Sequence, residues 1–309
     1  MIGFVFPGQG SQKVGMGSAL REGEPALYER YLDMADEASG LPVRRFVEEG
    51  PIEDLTRTDV AQPALFAVSL ALVEVARGLG LRPGVVAGHS LGEWTAVVTA
   101  GSLGLEDGMR LVALRGRLMA EAQAERPGSM AALVGLPGEA VEELCGAASE
   151  RGTVVPANFN SPSQIVVSGE TAAVERVVEL VGERGEGRAI PLRVGAAFHS
   201  PLMGNVEGRL AEALGEAELR DAEVPIAANA PGAPVRRADE VRNALVTQIV
   251  SPVRWVDCVR AIAGAGAERL VELGPGRVLA GLVRQIDPEL DVVSADSAEK
   301  LRALPGATG

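Results

Sequence analysis

A tight turn between an apolar run and a helical segment is the feature that most constrains this chain. Val85-Val86-Ala87 predicts a short buried strand, Gly88-His89-Ser90-Leu91-Gly92 follows at once, and a helix is predicted over 93–100. A strand that enters a helix through one sharp turn is typical of α/β folds, and this turn matches G-x-S-x-G. The pattern predicts Ser90 as an exposed nucleophile, and the alternative is an ordinary helix N-cap.

The order of predicted elements indicates two domains. At about 150 residues per domain, 309 residues suggest two. Most of the chain alternates strands with helices, and 17–50 is predicted to be mostly helical. The middle instead has the order β-α-β-β-α-β, the pattern of a ferredoxin-like unit. Its predicted strands cover 129–136, 153–158, 164–168 and 187–193, and its helices cover 137–151 and 170–184. We therefore expect an α/β fold with a small α+β domain inserted into it.

Composition argues against several classes of protein. The net charge is −13 and aromatic residues make up 3%, so nucleic acids and anionic membranes are poor candidate partners. The most apolar stretch, 60–76, is short and is interrupted by Gln62 and Glu74, so we expect no membrane span. Cys145 and Cys258 form neither a disulfide framework nor a metal-ligand pattern. No signal peptide is recognised, and we expect a cytoplasmic protein.

A serine nucleophile needs a base, and the chain has 2 histidines. His89 directly precedes Ser90, so on an elbow its side chain points away, and we expect a packed neighbour. His199 lies in a break before a predicted helix and is the expected base. No acid is nominated by the sequence as the third group, because a backbone or amide oxygen can also orient an imidazole. The acids that stay open are Asp221, Asp239 and Asp257.

Two further residues have both an ordinary and a functional interpretation. Arg115 lies on the predicted helix after the elbow helix, where a solvated arginine is the commoner case. A buried arginine would instead offer a planar fork to a substrate carboxylate. Gln9 lies in the turn after the first predicted strand, 2–6, where it is either a simple turn residue or a donor to an oxyanion.

Together these pieces resemble malonyl-CoA:acyl carrier protein transacylases and the acyltransferase domains of polyketide synthases. The motifs follow the family order along essentially the whole chain, and jointly they are specific. The matching segments are Phe6-Pro7-Gly8-Gln9-Gly10-Ser11-Gln12, Gly88-His89-Ser90-Leu91-Gly92-Glu93, Arg115-Gly116-Arg117-Leu118-Met119, Asn158-Phe159-Asn160-Ser161-Pro162, Phe198-His199-Ser200, Gln248 before Ser251-Pro252-Val253-Arg254-Trp255, and Glu272-Leu273-Gly274-Pro275-Gly276.

The resemblance implies a role for each matching position. Ser90 would carry the acyl group, His199 would be its base, and Gln248 would orient His199 through its backbone carbonyl. Arg115 would pair with the malonyl carboxylate, which reverses the ordinary interpretation of that residue. Main-chain N–H groups for the oxyanion would come from Gln9 and Leu91, and the remaining substrate-site residues would be His89, Asn160 and Phe198.

The resemblance also implies a fold and a reaction. The fold would be a hydrolase-like α/β large domain (1–125 and 196–309) with a mostly parallel sheet, and a ferredoxin-like small domain (126–195). Malonyl would pass from malonyl-CoA through a seryl ester to the phosphopantetheine thiol of an acyl carrier protein. No cofactor would be bound permanently, and we expect a monomer.

The alternatives left open are a polyketide-synthase acyltransferase, an acyl hydrolase, a methylmalonyl-specific enzyme and a non-catalytic carrier-binding module. Phe198 before His199 resembles the pattern of malonyl-selective polyketide synthase domains. A smaller residue there would leave room for the methyl branch of a methylmalonyl group. Since carrier proteins are acidic like this chain, attraction must come from a local basic patch. We expect that patch at Arg184, Arg188 and Arg193, with Arg277 or Arg284 as further candidates.

Overall fold

The computed structural model describes residues 1–192 and 194–308, and in these residues the strands form one sheet of six and one of four. The strands are β1 (Ile2–Phe6), β2 (Val85–Gly88), β3 (Ser129–Val134), β4 (Val154–Ser161), β5 (Gln164–Gly169), β6 (Arg188–Pro191), β7 (Ile226–Ala228), β8 (Ala233–Val235), β9 (Arg269–Leu273) and β10 (Asp291–Ala295). The α-helices are α1 (Ser18–Gly23), α2 (Pro25–Ser39), α3 (Val43–Glu49), α4 (Ile52–Thr56), α5 (Thr58–Gly78), α6 (Leu91–Thr99), α7 (Leu105–Glu125), α8 (Gly138–Ala148), α9 (Thr171–Arg184), α10 (Gly204–Gly215), α11 (Ala238–Thr247), α12 (Trp255–Gly264), α13 (Val278–Ile286) and α14 (Ala298–Arg302).

The large sheet has the order β10-β9-β1-β2-β7-β8, parallel except for the last pair. Side chains alternate between its faces: Phe4 and Phe6 pack on one side and Val5 on the other, against Trp255. Both faces are therefore covered, as a parallel sheet requires. Phe6 pairs with Gly88 at the end of β1 and β2, which brings the turn after β1 beside the elbow.

The small sheet has the antiparallel order β4-β5-β3-β6. Helices α8 and α9 pack on it through a separate core that includes Leu133, Val141 and Val177. This is the ferredoxin-like arrangement that the β-α-β-β-α-β order predicts. The α/β fold with a second, smaller sheet is thus confirmed, and the exact domain limits stay a prediction.

Backbone hydrogen bonds join the two sheets. The N–H of Phe159, on edge strand β4, donates to the carbonyl of Val253 at 2.9 Å, and the N–H of Val253 donates to Ala157 at 2.8 Å. Val253 lies just before α12, which packs on the large sheet. These bonds hold β4 beside the C-terminal edge of the large sheet, so that a cleft forms between them.

The stretch 17–50 is mostly helical, as expected; it divides into three helices at Glu24, between α1 and α2, and at Gly40, which has φ 68° and ends α2. Other elements differ from the sequence-based expectation. Strand β6 ends at Pro191, short of the predicted limit. Helices α4 and α14 and strand β8 were not predicted, because elements of 5, 5 and 3 residues are too short to show a period.

The most apolar stretch of the sequence, 60–76, lies within helix α5. Helix α5 has 21 residues, and by length and composition alone it could cross a membrane. In this structure 89% of its most apolar window is buried inside the protein. Its apolar surface is explained by packing on α2 and α7, where Leu65 and Phe66 lie in the main core.

Candidate active site

Ser90 lies in the sharp turn between β2 and α6. Its backbone has φ 51° and ψ −104°, a conformation that L-residues rarely adopt. The turn presses closely on β1, since a Cβ on Gly92 would lie 2.1 Å from the carbonyl oxygen of Phe6. Only glycine fits at that position. The strained turn thus holds the serine at the C-terminal edge of the large sheet, as expected for a nucleophile elbow.

A buried asparagine from the next strand holds the two ends of this turn. Asn229 directly follows β7 and is 0% exposed. Its Oδ1 accepts from the N–H of Ser90 at 2.8 Å, and its Nδ2 donates to the carbonyl of Gly88 at 2.8 Å. Sequence patterns do not point to Asn229, because its partners lie 139 and 141 positions away.

His199 contacts the serine directly. Its Nδ1 lies 2.9 Å from the carbonyl oxygen of Gln248, and its Nε2 lies 2.8 Å from Oγ of Ser90. Because a carbonyl only accepts, Nδ1 carries the proton and Nε2 is free to accept the serine hydroxyl. Burial, and after it the charge of Arg115, lower the pKa of His199 to about 3. The imidazole is therefore neutral near pH 7, as a general base must be.

The acids that the sequence left open are all occupied elsewhere. Asp239 pairs with Arg237, and Asp257 pairs with Arg260. Asp221 accepts from the N–H of residue 238. The structure therefore gives His199 a carbonyl rather than a carboxylate as its orienting partner, the arrangement that the family resemblance implies.

Arg115 is buried beside the serine. Only 1% of it is exposed, so the commoner interpretation of a solvated helix arginine is wrong. Its Nη2 donates to Oγ of Ser90 and to Oε1 of Gln248, each at 3.1 Å, and its Nη1 donates to Oε1 of Gln62 at 2.6 Å. Burial lowers the pKa of Arg115 to about 10, with the charge of Glu93 opposing that shift. The guanidinium is thus still a cation at neutral pH.

A chain of side-chain hydrogen bonds connects Arg115 with Gln9. Nε2 of Gln62 donates to Oγ1 of Thr58 at 2.7 Å, and that hydroxyl donates to Oε1 of Gln9 at 2.9 Å. In the sequence, Gln62 is recognisable only as a polar interruption of an apolar stretch. Gln62 is 0% exposed, and a buried amide needs hydrogen-bond partners. A polar residue within an apolar helix is therefore a sequence signal that could have indicated Gln62 as part of a buried polar network.

His89 faces away from the nucleophile. Its Nε2 lies 2.8 Å from Oδ1 of Asn160, and its ring packs against Trp255 with 5.7 Å between the ring centroids. Nδ2 of Asn160 donates to Gln164 at 3.0 Å, which leaves Oδ1 as the acceptor for His89. Burial lowers the pKa of His89. This geometry suits a neutral packed neighbour that ties the elbow to β4.

The predicted site residues meet in one cavity of about 370 Å³ between the two sheets. Phe198, 8% exposed, lines both this cavity and an adjoining cavity of about 460 Å³. Among the described residues, none accepts a hydrogen bond from the main-chain N–H of Gln9 or Leu91, so both stay available to an oxyanion. The predicted residues that line the cavity are Gln9, His89, Ser90, Leu91, Arg115, Asn160, Phe198 and His199; Gln248 lies behind them, 0% exposed.

The structure describes only part of the basic patch that the sequence predicts. Arg184 pairs with Glu143 at 3.8 Å and with Glu186 at 3.5 Å, so its charge is locally compensated. Arg188 is exposed on β6, and Arg193 lies outside the described residues. No cluster of three potential metal ligands occurs in the described part of the chain.

Comparison with known proteins gives a consistent result. A family model described as acyl transferase domain matches residues 3–302. Malonyl CoA-acyl carrier protein transacylase of Bacillus subtilis is 39% identical over 301 residues, covering 97% of this chain and 95% of that protein. The Escherichia coli K12 protein of the same name is 39% identical over 305 residues, covering 98% and 97%.

Comparison with solved structures gives the same family of proteins. The structure of malonyl-CoA:acyl carrier protein transacylase from Xanthomonas oryzae superposes with a TM-score of 0.94 at 41% identity, covering 100% of this chain and 98% of that one. A malonyl-transacylase in complex with a type II polyketide synthase acyl-carrier protein gives a TM-score of 0.92 at 38% identity, covering 97% of both chains. The chain belongs to the acyl transferase domain family.

Proposed function

We propose that this protein transfers a malonyl group from malonyl-CoA, through an ester on Ser90, to the phosphopantetheine thiol of an acyl carrier protein. The observation that carries this proposal is Arg115, a buried cation whose Nη2 lies 3.1 Å from the nucleophilic oxygen. A cation in a closed cleft favours an acyl group that ends in a carboxylate. The relatives named above support the same donor and acceptor.

The reaction follows from the geometry of the cleft. Oγ of Ser90 attacks the thioester carbonyl while Nε2 of His199 takes its proton, and the N–H groups of Gln9 and Leu91 stabilise the oxyanion. The C–S bond breaks, and His199 returns the proton to the leaving coenzyme A thiol. The carrier thiol then attacks the seryl ester, His199 takes the proton of that thiol, and the same proton returns to Oγ as Ser90 leaves. No metal or bound cofactor is needed for these steps.

The carrier that we propose serves fatty-acid synthesis. A polyketide carrier is the second candidate, favoured by the similarity to the polyketide transacylase complex. A hydrolase of neutral acyl chains has no use for buried Arg115. We further propose that the protein is cytoplasmic and acts as a monomer, since one chain supplies Ser90, His199 and Arg115 to the cleft.

Intact-mass measurement after separate incubation with malonyl-, methylmalonyl- and acetyl-CoA tests this function. We expect stable malonyl mass on the protein, little methylmalonyl or acetyl mass, and loss of the malonyl mass when holo carrier protein is added. Ser90→Ala should gain no mass, and His199→Ala should acylate more slowly by about 10² to 10⁴. Rapid release of free malonate without a carrier would instead indicate a hydrolase. An unlabelled protein would indicate a non-catalytic module.

A further inference from the structure

Glu93 is a buried carboxyl group to which the mechanism above assigns no part. It lies in the first turn of α6 with 0% exposure. Its Oε2 accepts from Nε2 of Gln248 at 2.6 Å and from the N–H of Asn229 at 3.2 Å. Its Oε1 is buried without a partner among the described residues. Because an under-bonded buried carboxyl is costly, the two bonds on Oε2 are the contacts that can compensate for it.

The stronger of these bonds orients the side chain of Gln248. An amide has a donor end and an acceptor end, and turning it over exchanges them. The two nearest acceptors of Nε2 of Gln248 are Oε2 of Glu93 at 2.6 Å and the carbonyl of Ser90 at 3.0 Å. Both acceptors favour the same orientation, so Oε1 of Gln248 is turned toward the opposite side.

That opposite side is occupied by the arginine. Oε1 of Gln248 accepts from Nη2 of Arg115 at 3.1 Å, and the other terminal nitrogen donates to Gln62 at 2.6 Å. Amide oxygens therefore accept from both terminal nitrogens of the guanidinium, and these two bonds fix the orientation of its plane. A reversed Gln248 amide would put a donor against a donor and turn the guanidinium away.

The charge of Glu93 acts on Arg115 without direct contact between the two side chains. Because the amide of Gln248 lies between them, the carboxylate attracts the guanidinium without occupying its donors. A carboxylate in direct contact would compete with the substrate for the same fork. This arrangement balances a buried cation while it leaves that cation free to bind an anion.

We infer that Glu93 is a positioning residue for substrate selection: through the Gln248 amide it aims Arg115 at the acyl group and so sets the preference for malonyl over acetyl. The inference rests on the proposed function, since it concerns the same cavity. Glu93 touches none of the reacting atoms, and its effect on the reaction passes through Gln248.

Two variants separate this role from simple stabilisation. Glu93→Gln keeps the size, removes the charge and allows either end of the new amide to face Gln248. Glu93→Met keeps the length and removes the acceptor altogether. Glu272→Gln is the matched control, because Glu272 is also 0% exposed but accepts from the N–H groups of Leu279 and Ala280, each at 3.0 Å.

The measurement is kcat/KM for acylation by malonyl-CoA and by acetyl-CoA at about pH 8, above the pKa of about 7 to which burial raises Glu93, with a thermal melt of each variant. Because Glu93→Gln replaces a hydrogen bond to a charged group with a weaker neutral one and Glu93→Met removes the acceptor, we expect the malonyl-to-acetyl ratio to fall about tenfold in Glu93→Gln and further in Glu93→Met. Glu272→Gln should melt at a lower temperature and keep the wild-type ratio. If one Glu93 variant does not fold, the other still gives the ratio.

Two results would overturn the inference. An unchanged ratio in the folded Glu93 variants would mean that Arg115 is aimed without Glu93. A parallel fall of both rates, with the ratio unchanged, would show a structural role only. The wild-type measurement keeps the two proposals apart: a wild type that gains no malonyl mass overturns the proposed function itself.

Discussion

At the scale of single residues, Arg115 is the side chain to which we assign the choice of substrate class. It donates to three acceptors at once, on Gln62, Ser90 and Gln248, which the point charge of a lysine cannot reproduce. We expect Arg115→Ala to lower malonyl transfer by several hundred-fold, since charge-assisted hydrogen bonds contribute about 1.5–3 kcal/mol each. Acetyl transfer should rise relative to malonyl transfer, and Arg115→Lys should recover little.

The measurement is the ratio of kcat/KM for malonyl-CoA over acetyl-CoA in the wild type and both variants. Arg117, two positions along the same helix and 62% exposed, provides the control substitution Arg117→Ala, which should leave the ratio alone. A ratio in Arg115→Ala equal to that of the wild type would remove Arg115 as the carboxylate ligand.

The protonation of His199 gives a pH test at the same scale. In the proposed mechanism the active form of His199 is neutral, so activity would be lost as the pH falls through the pKa of His199, which burial and Arg115 lower to about 3. We therefore expect acylation of Ser90 to show no acid limb from His199 between about pH 5 and pH 8, although an ordinary histidine titrates there. Single-turnover acylation followed by intact mass measures this profile.

Glu93 is the control for that profile, because burial raises its pKa to about 7. Any change of the acylation rate with pH that comes from the titration of Glu93 should disappear in Glu93→Gln. An acid limb near the usual histidine pKa that persists in this variant would show that His199 is protonated in the folded protein at higher pH than its surroundings imply.

At the scale of elements, we expect activity to depend on how closely α6 packs against β1. Gly92→Ala would place a Cβ 2.1 Å from the carbonyl oxygen of Phe6, so helix and strand must separate. We expect the free energy of unfolding to fall by about 1–3 kcal/mol and acylation to slow, because Ser90 moves with the helix. Urea unfolding and the acylation rate measure the two effects.

Gly208→Ala is the matched control, since Gly208 lies within α10 and a Cβ there meets nothing within 4 Å. Alanine is favoured over glycine inside a helix by up to about 1 kcal/mol, so this variant should be more stable and fully active. Equal stability of the two alanine variants would contradict the packing argument.

At the scale of the whole molecule, the charge of −13 repels an acidic carrier, so docking needs a local basic surface. Arg184 is already paired with Glu143 and Glu186, whereas Arg188 is exposed on β6. We therefore expect Arg188→Glu to raise KM for the carrier several-fold and Arg184→Glu to raise it less. Acylation by malonyl-CoA should not change in either variant.

Arg220→Glu makes the same charge change at an exposed residue beside Glu218, in the loop between α10 and β7, and should leave the carrier KM nearly as it was. Steady-state kinetics at low and moderate salt give these values, because a charge effect weakens with screening. A carrier KM unaffected by Arg188→Glu would place the docking surface elsewhere.

Sequence alone was enough to predict the elbow, the β-α-β-β-α-β insertion and the short list of histidines. These features depend on residues that are neighbours along the chain. The glycines near Ser90 and the change from strand to helix periodicity in the apolar residues are local signals, so a single sequence is enough to recognise them. The family motifs extended this to Arg115 and Gln248, which local reasoning left open.

The partners of the buried polar groups were decided only by the tertiary structure. Arg115 bonds to Gln62 and Gln248, 53 and 133 positions away, and Glu93 bonds to Gln248, 155 positions away. The sequence contains these donors and acceptors but not their pairing. The pairing arises when the two sheets exclude water from the cleft, because each buried polar group must then find its partner within the protein.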